Sequence, residues 1–155
     1  MKQASRKVPR LAPRRLAVDE QWVWIGFGGR ADRSWMRLLR PGFRHCFAVL
    51  QDERGWTVVE PLSGRLLVAR LDVEPGFDLP AFYRRAGLSL LGPFEPGAPA
   101  CSFLPSLLPY SCVSVCRGLL GSGAPLALTP RQLFRALEKL LHNRNKVIDA
   151  EPASR

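Results

Sequence analysis

Short apolar runs separated by turn residues dominate the first half of the chain. Three consecutive runs are rich in β-branched and aromatic residues and predict strands: 43–51, 56–62 and 65–71. The polar stretch 52–55 separates the first two runs and a Ser-Gly pair at 63–64 separates the last two, as is typical of tight turns. An earlier run over 21–27 ends at two glycines and predicts a further strand. The pattern therefore predicts an antiparallel meander with hairpin connections.

Two helices are predicted near the end of the chain. One begins at Thr129, where the order Thr-Pro-Arg-Gln supplies an N-cap, a first-turn proline and a capping-box glutamine. Apolar residues then recur at the helical period and predict a stripe that faces the core: Leu133, Phe134, Leu137, Leu140 and Leu141. The other helix is predicted from Ser111 to Leu120, because Gly121 follows and ends it.

Two short helices and one long loop complete the predicted elements. The short helices cover 34–39, before a Pro-Gly pair, and the stretch from an N-cap at Asp78 to Arg85. Residues 92–109 include prolines at 93, 96, 99, 105 and 109 and predict a loop of the kind that often borders a functional site. Strands followed by separate helices indicate the α+β class.

Charge divides the chain unevenly. The net charge is +10 over 155 residues, a length typical of one domain. Residues 1–16 contain no acid and six basic residues: Lys2, Arg6, Lys7, Arg10, Arg14 and Arg15. We therefore predict a flexible basic arm over 1–19, a folded domain over 20–143 and a flexible tail over 144–155. The arm is either a contact for nucleic acid or another anionic partner, or a solvated tail.

The N-terminus and the hydropathy pattern bear on location. No apolar run reaches the ~18 residues that a membrane-spanning helix needs. No apolar stretch follows the first basic residues, so no secretory signal is expected, and the protein is predicted to act in the cytoplasm. Reduced cysteines are expected there: Cys46, Cys101, Cys112 and Cys116.

Cys112 is the candidate nucleophile. It lies at the predicted start of a helix, where unpaired amides and the helix dipole favour a thiolate and can also face an oxyanion. Cys116, one turn later, is predicted to be a small buried residue. Adjacent residues on a strand point to opposite faces, so His45 and Cys46 are poor joint ligands, and no metal or cofactor is expected.

Hairpin geometry suggests partners for this thiol. His45 begins an otherwise apolar predicted strand, where an imidazole needs a hydrogen-bond partner. If 52–55 forms a symmetric loop, Glu60 lies opposite Phe47, on the face of His45 and diagonal to it. Glu60 can then orient the imidazole as the third member of a triad does. Tyr110, two residues before the cysteine, is a candidate oxyanion donor or a core aromatic.

The order of these residues resembles a known superfamily. A histidine at a strand start, a polar residue on the next strand and a cysteine on a later helix resemble the circularly permuted branch of the papain-like thiol hydrolases, relatives of the NlpC-type endopeptidases and the lecithin retinol acyltransferase-like enzymes. The resemblance covers about 20–140 and implies a permuted papain-like fold, in which a meander packs against helices and the cysteine lies at a helix N-terminus. It assigns Cys112 as nucleophile, His45 as base and Glu60 as the orienting residue. The segments 42–47, 111–113 and 128–134 also look like small proteins of bacteriophages and prophages.

The resemblance implies a cysteine hydrolase of amide or ester bonds. Its substrates would be peptides, peptidoglycan peptides or lipid esters, and a phage context would add virion location and phage structural proteins as partners. The sequence departs from the family pattern in its bulky neighbours of His45 and its apolar residues after Cys112.

Two other functions remain open. An inactive papain-like module would use its basic arm to bind nucleic acid or an acidic partner. A small DNA-binding protein would use the polar side of the last helix, which carries Arg131, Arg135, Lys139 and Arg144.

Overall fold

A five-stranded sheet with helices on both faces forms the framework. The computed structural model describes residues 21–28, 41–62, 64–74, 76–98 and 111–150, the last four by their backbone alone. In chain order the elements are β1 (Trp22–Gly28), β2 (His45–Asp52), β3 (Gly55–Leu62), β4 (Arg65–Arg70), α1 (Leu79–Arg85), β5 (Ser89–Phe94), α2 (Cys112–Leu120) and α3 (Pro130–Ala150). The strands pair antiparallel in the order β4-β3-β2-β1-β5, which confirms the α+β class.

The β2–β3 hairpin has the predicted register. Gln51 pairs with Trp56, and the pairing continues to Ala48 with Val59. The loop is shorter than predicted because Asp52 also pairs with Gly55, which leaves a two-residue turn at 53–54. Shortening a symmetric loop by one residue on each side leaves the register unchanged, so the facing of every side chain is preserved.

Strand β5 was not predicted from the sequence. Its segment contains Gly92 and Pro93, which normally weaken a strand. Both are tolerated because β5 is the edge strand beside β1, where a missing donor on the outer side breaks no ladder. Gly92 has a φ of +143°, and a Cβ there would lie 2.9 Å from the carbonyl oxygen of Val23, so the close approach of the two strands requires glycine.

The predicted helix starts are confirmed. Asp78 caps α1 by accepting a hydrogen bond from the amide of Ala81 at 2.8 Å. Thr129 and Gln132 form the predicted capping arrangement before α3, with the Gln132 amide 3.3 Å from the Thr129 hydroxyl. Helix α3 continues to Ala150, past the predicted end near residue 143, because no glycine or proline interrupts that stretch.

The apolar stripe of α3 is buried only over its first turns. Leu133 and Leu137 are fully buried, and Phe134 packs against the same core. Leu140, which was predicted to face the core, is 46% exposed. From residue 138 to 146 nearly every side chain is exposed, so the helix leaves the core after its first two turns while its sequence period continues.

The two faces of the sheet have separate cores. We call the first the α2/α3 face: it packs residues of those helices against β1 and β2, including Ile25, Phe27 and Cys46. The second, the α1 face, contains Phe47, Val49 and Trp56 together with residues of α1 and β5. Alternation along β2 explains the division, since Cys46 and Ala48 point one way and Phe47 and Val49 the other.

Some predictions lie outside the described residues. These are the basic arm, the helix over 34–39 and most of the proline-rich loop. Within the described ranges, no helix combines the length and apolar character that crossing a lipid bilayer requires.

Candidate active site

Helix α2 begins with a capping box that leaves Cys112 at its first position. The Ser111 hydroxyl accepts a hydrogen bond from the amide of Ser114 at 3.1 Å, and the Ser111 amide donates to the hydroxyl of Ser114 at 2.9 Å. The box engages neither the amide of Cys112 nor that of Val113. Cys112 therefore lies in the first turn of α2, where free amides can stabilise negative charge.

His45 and Glu60 approach each other across the β2–β3 hairpin. The Nε2 atom of His45 lies 3.7 Å from Oε1 of Glu60. Their side chains are 13% and 37% exposed, so the imidazole is mostly covered while the carboxylate keeps contact with solvent. The sequence argument expected this diagonal contact, and the observed register explains it: continued past Ala48 and Val59, it places Glu60 opposite Phe47.

Cys112 meets two residues of β2 at once. The imidazole of His45 and the thiol of Cys46 both shift the pKa of its thiol, so both groups lie next to the sulfur. Cys46 points into the α2/α3 face, against which Cys112 packs. His45, the first residue of β2, belongs by alternation to the α1 face. Because His45 lies at the end of β2, its ring also comes close to Cys112 at the start of α2. The three residues of the predicted triad, Cys112, His45 and Glu60, therefore lie next to one another.

The resting state of the thiol differs from the expectation. The sequence predicted a thiolate favoured by the helix start, whereas the surroundings raise the pKa of Cys112 far above its usual value. The hydrogen bond with Cys46 and burial both raise this pKa, and the hydrogen bond with His45 lowers it by less. The structure therefore favours a neutral Cys112 thiol beside the His45 imidazole.

A row of thiols extends from the site into the core. Cys46 is fully buried and lies between Cys112 and Cys116. Its hydrogen bond with Cys112 lowers its pKa, but the hydrogen bond with Cys116 and burial raise that pKa well above the usual value. Cys116 is fully buried, as predicted for a residue one turn inside α2.

Sequence reasoning missed Cys46 as a neighbour of the nucleophile. Strand alternation alone places it on the face opposite His45, and the helix carrying Cys112 packs on that face. The signal was therefore present, but it required knowing on which face α2 packs. Glu60, which the sequence placed on the face of His45, is partly exposed at the edge of a cavity.

Other predicted site residues lie outside the described residues. They are Tyr110 and the basic side chains of the arm: Lys2, Arg6, Lys7, Arg10, Arg14 and Arg15. Within the part of the chain that the structure describes, no group of three or more His, Cys, Asp or Glu side chains has an arrangement that could hold a metal ion.

Comparisons with models of protein families, with curated proteins and with solved structures gave no match to this chain.

Proposed function

We propose that this protein is a thiol hydrolase that cleaves an amide or ester bond through a covalent intermediate on Cys112. The observation that carries the proposal is the position of the His45 imidazole, 3.7 Å from the carboxylate of Glu60 and close enough to the Cys112 thiol to lower its pKa. Nucleophile, base and orienting acid in that sequence are the functional parts of a triad. Their placement on a helix start and two adjacent strands supports a papain-like arrangement.

The high pKa of Cys112 decides how the first step proceeds. A neutral thiol is a weak nucleophile, so its proton passes to His45 as the sulfur attacks the carbonyl carbon. Glu60, whose Oε1 lies 3.7 Å from Nε2, stabilises the imidazolium that forms. The negative charge that develops on the carbonyl oxygen is stabilised by the amide of Cys112 at the start of α2. Tyr110 stays a predicted second donor.

The later steps return every proton. His45 donates the proton to the leaving nitrogen or oxygen as the carbonyl–leaving-group bond breaks, which leaves a thioester on Cys112. His45 then removes a proton from water, and the hydroxyl adds to the thioester. The carbon–sulfur bond breaks, the thiol regains its proton from His45, and the acid product departs. Peptides, peptidoglycan peptides and lipid esters are the substrate classes that the family resemblance suggests.

Covalent trapping tests this function. Incubation with 4-nitrophenyl acetate should add one acetyl group to the protein, and peptide mapping should place it on Cys112. Cys112→Ala should abolish this acetylation, whereas Cys116→Ala, a matched change one turn away, should preserve it. Acetylation spread over several residues and unaffected by Cys112→Ala would contradict the proposal and favour the inactive interaction module.

A further inference from the structure

A cavity of about 480 Å3 lies beside the imidazole on the α1 face. Its walls include His45, Phe47, Val58, Glu60, Tyr83 and Leu88. A volume in the range of roughly 300–1,000 Å3 is typical of sites for small organic groups. Cys112 is not among the residues that line it.

The walls are apolar except at one end. Phe47 and Val58 belong to the core of the α1 face, and the ring of Tyr83 packs edge-on against Phe47 with centroids 5.2 Å apart. The polar groups converge where His45 and Glu60 meet. This division, an apolar body with a few polar groups at one end, is the usual form of a site that orients a ligand.

The charge of the polar end is unfavourable for anions. Glu60 is the acidic residue in the wall, and its charge acts on the neighbouring hydroxyl: burial and then the Glu60 carboxylate raise the pKa of Tyr83. A carboxylate or phosphate placed there would meet the like charge of Glu60. Neutral and cationic groups carry no such penalty.

The position of the cavity relates it to one half of the substrate. In the proposed reaction the leaving atom must lie next to the imidazole, because His45 protonates it. The group attached to that atom therefore extends along the His45 side of the site, and the acyl group stays with the sulfur. A cavity lined by the imidazole but not by Cys112 is placed for the leaving group.

Resting on the proposed function, we propose that this cavity binds the leaving group of the substrate and selects amines or alcohols that carry an apolar, non-anionic substituent. Phe47, Val58 and Leu88 contact that substituent, and Glu60 excludes anionic ones. The protein then acts on esters or amides of apolar alcohols or amines.

Ligand titration of the Cys112→Ala protein tests the cavity without catalysis. Benzyl alcohol and benzylamine should shift the methyl resonances of Val58 and Leu88 saturably, and benzoate should not. Ala86 also lines the cavity and is exposed, so Ala86→Phe should narrow the mouth and weaken benzyl alcohol binding at least tenfold. Ala81→Phe, the same exchange on α1 outside the cavity wall, is the control and should change nothing. Equal binding of benzoate would overturn the exclusion of anions.

Kinetics of the intact protein separate the two proposals. Ala86→Phe should lower the ratio of the Cys112 acetylation rate by benzyl acetate to that by methyl acetate at least tenfold, whereas Ala81→Phe should leave both rates unchanged. Equal slowing of both esters, or of neither, overturns the leaving-group role while the hydrolase survives. Binding of benzyl alcohol without acetylation of Cys112 by any ester overturns the hydrolase, and the leaving-group role with it.

Discussion

The two faces of the sheet differ in how tightly they are closed, and His45 lies where they meet. The α2/α3 face is filled by fully buried side chains, among them Cys46, Cys116 and Leu133. The α1 face has a core of its own but opens into a cavity beside the imidazole. The closed face raises the pKa of the Cys112 thiol, and the open face contains the cavity that we propose for the leaving group.

This difference separates two requirements that a thiol site must meet. The Cys46 thiol and burial against the closed face raise the pKa of Cys112 and keep it neutral, so the proposed reaction depends on the base. Solvent contact on the open face keeps Glu60 partly exposed, so its desolvation cost is small compared with that of a buried carboxylate. The His45 imidazole lies between the buried thiol of Cys112 and the partly exposed carboxylate of Glu60.

Removing the residue that joins the faces should have the largest effect. His45→Ala should lower the rate of Cys112 acetylation by about 10²–10⁴-fold, because a neutral thiol without a base attacks slowly. The measurement is single-turnover kinetics with 4-nitrophenyl acetate. His142→Ala, on the exposed side of α3, serves as the control. If the acetylation rate of His45→Ala is within twofold of that of the unchanged protein, His45 is not the base.

The second-largest effect concerns stability: a substitution on the closed face should cost more free energy of unfolding than one on the open face. Leu133→Ala on the α2/α3 face removes a fully buried side chain and should lower the free energy of unfolding by roughly 2–5 kcal/mol. Leu88→Ala at the cavity wall should lower that free energy by less, because its side chain is only partly buried and already borders a cavity. Urea titration of both variants gives the comparison. Equal losses would show that the two faces are packed alike.

The contribution of Glu60 should be smaller than that of His45. Glu60→Gln keeps the shape but removes the charge that orients the imidazolium, and the acetylation rate should fall by about 10–100-fold, a loss of roughly 1.4–2.7 kcal/mol of transition-state stabilisation. Glu53→Gln, in the exposed turn of the same hairpin, is the matched control. An unchanged rate and pH profile for Glu60→Gln would mean that His45 is oriented by other contacts.

Opening the closed face at one thiol should give the smallest effect, and a rise in reactivity. Cys46→Ala removes the hydrogen bond that contributes most to the high pKa of Cys112, so this pKa should fall. The fraction of thiolate at pH 8 then rises, and iodoacetamide should label Cys112 faster, about tenfold for each pH unit that the pKa falls. The pH dependence of labelling measures the shift directly. Cys116→Ala removes a thiol that contacts Cys46, so it should change the labelling rate much less. A labelling profile that moves to higher pH in Cys46→Ala would contradict the assigned cause.

The α+β class, the hairpin register and two parts of the candidate site followed from local patterns. The turn residues at 52–55 fixed the hairpin register to within a symmetric shortening of the loop, and that register carries the contact of His45 with Glu60. Strand β5 escaped prediction because its Gly92 and Pro93 are tolerated only at a sheet edge, which is a property of the assembled sheet. The exposure of Leu140 was not predicted for a similar reason. The apolar residues of α3 keep their helical spacing beyond the point where the helix leaves the core.

The sequence by itself determined that Cys112 begins a helix, that His45 begins a strand and that Glu60 shares a face with that histidine, because capping and alternation act over a few residues. Only the tertiary structure decided that α2 packs against Cys46, that the thiol is therefore neutral at rest and that a cavity opens on the other side of the imidazole. Desolvation and hydrogen bonding between distant segments depend on distances through space, which local sequence patterns do not specify.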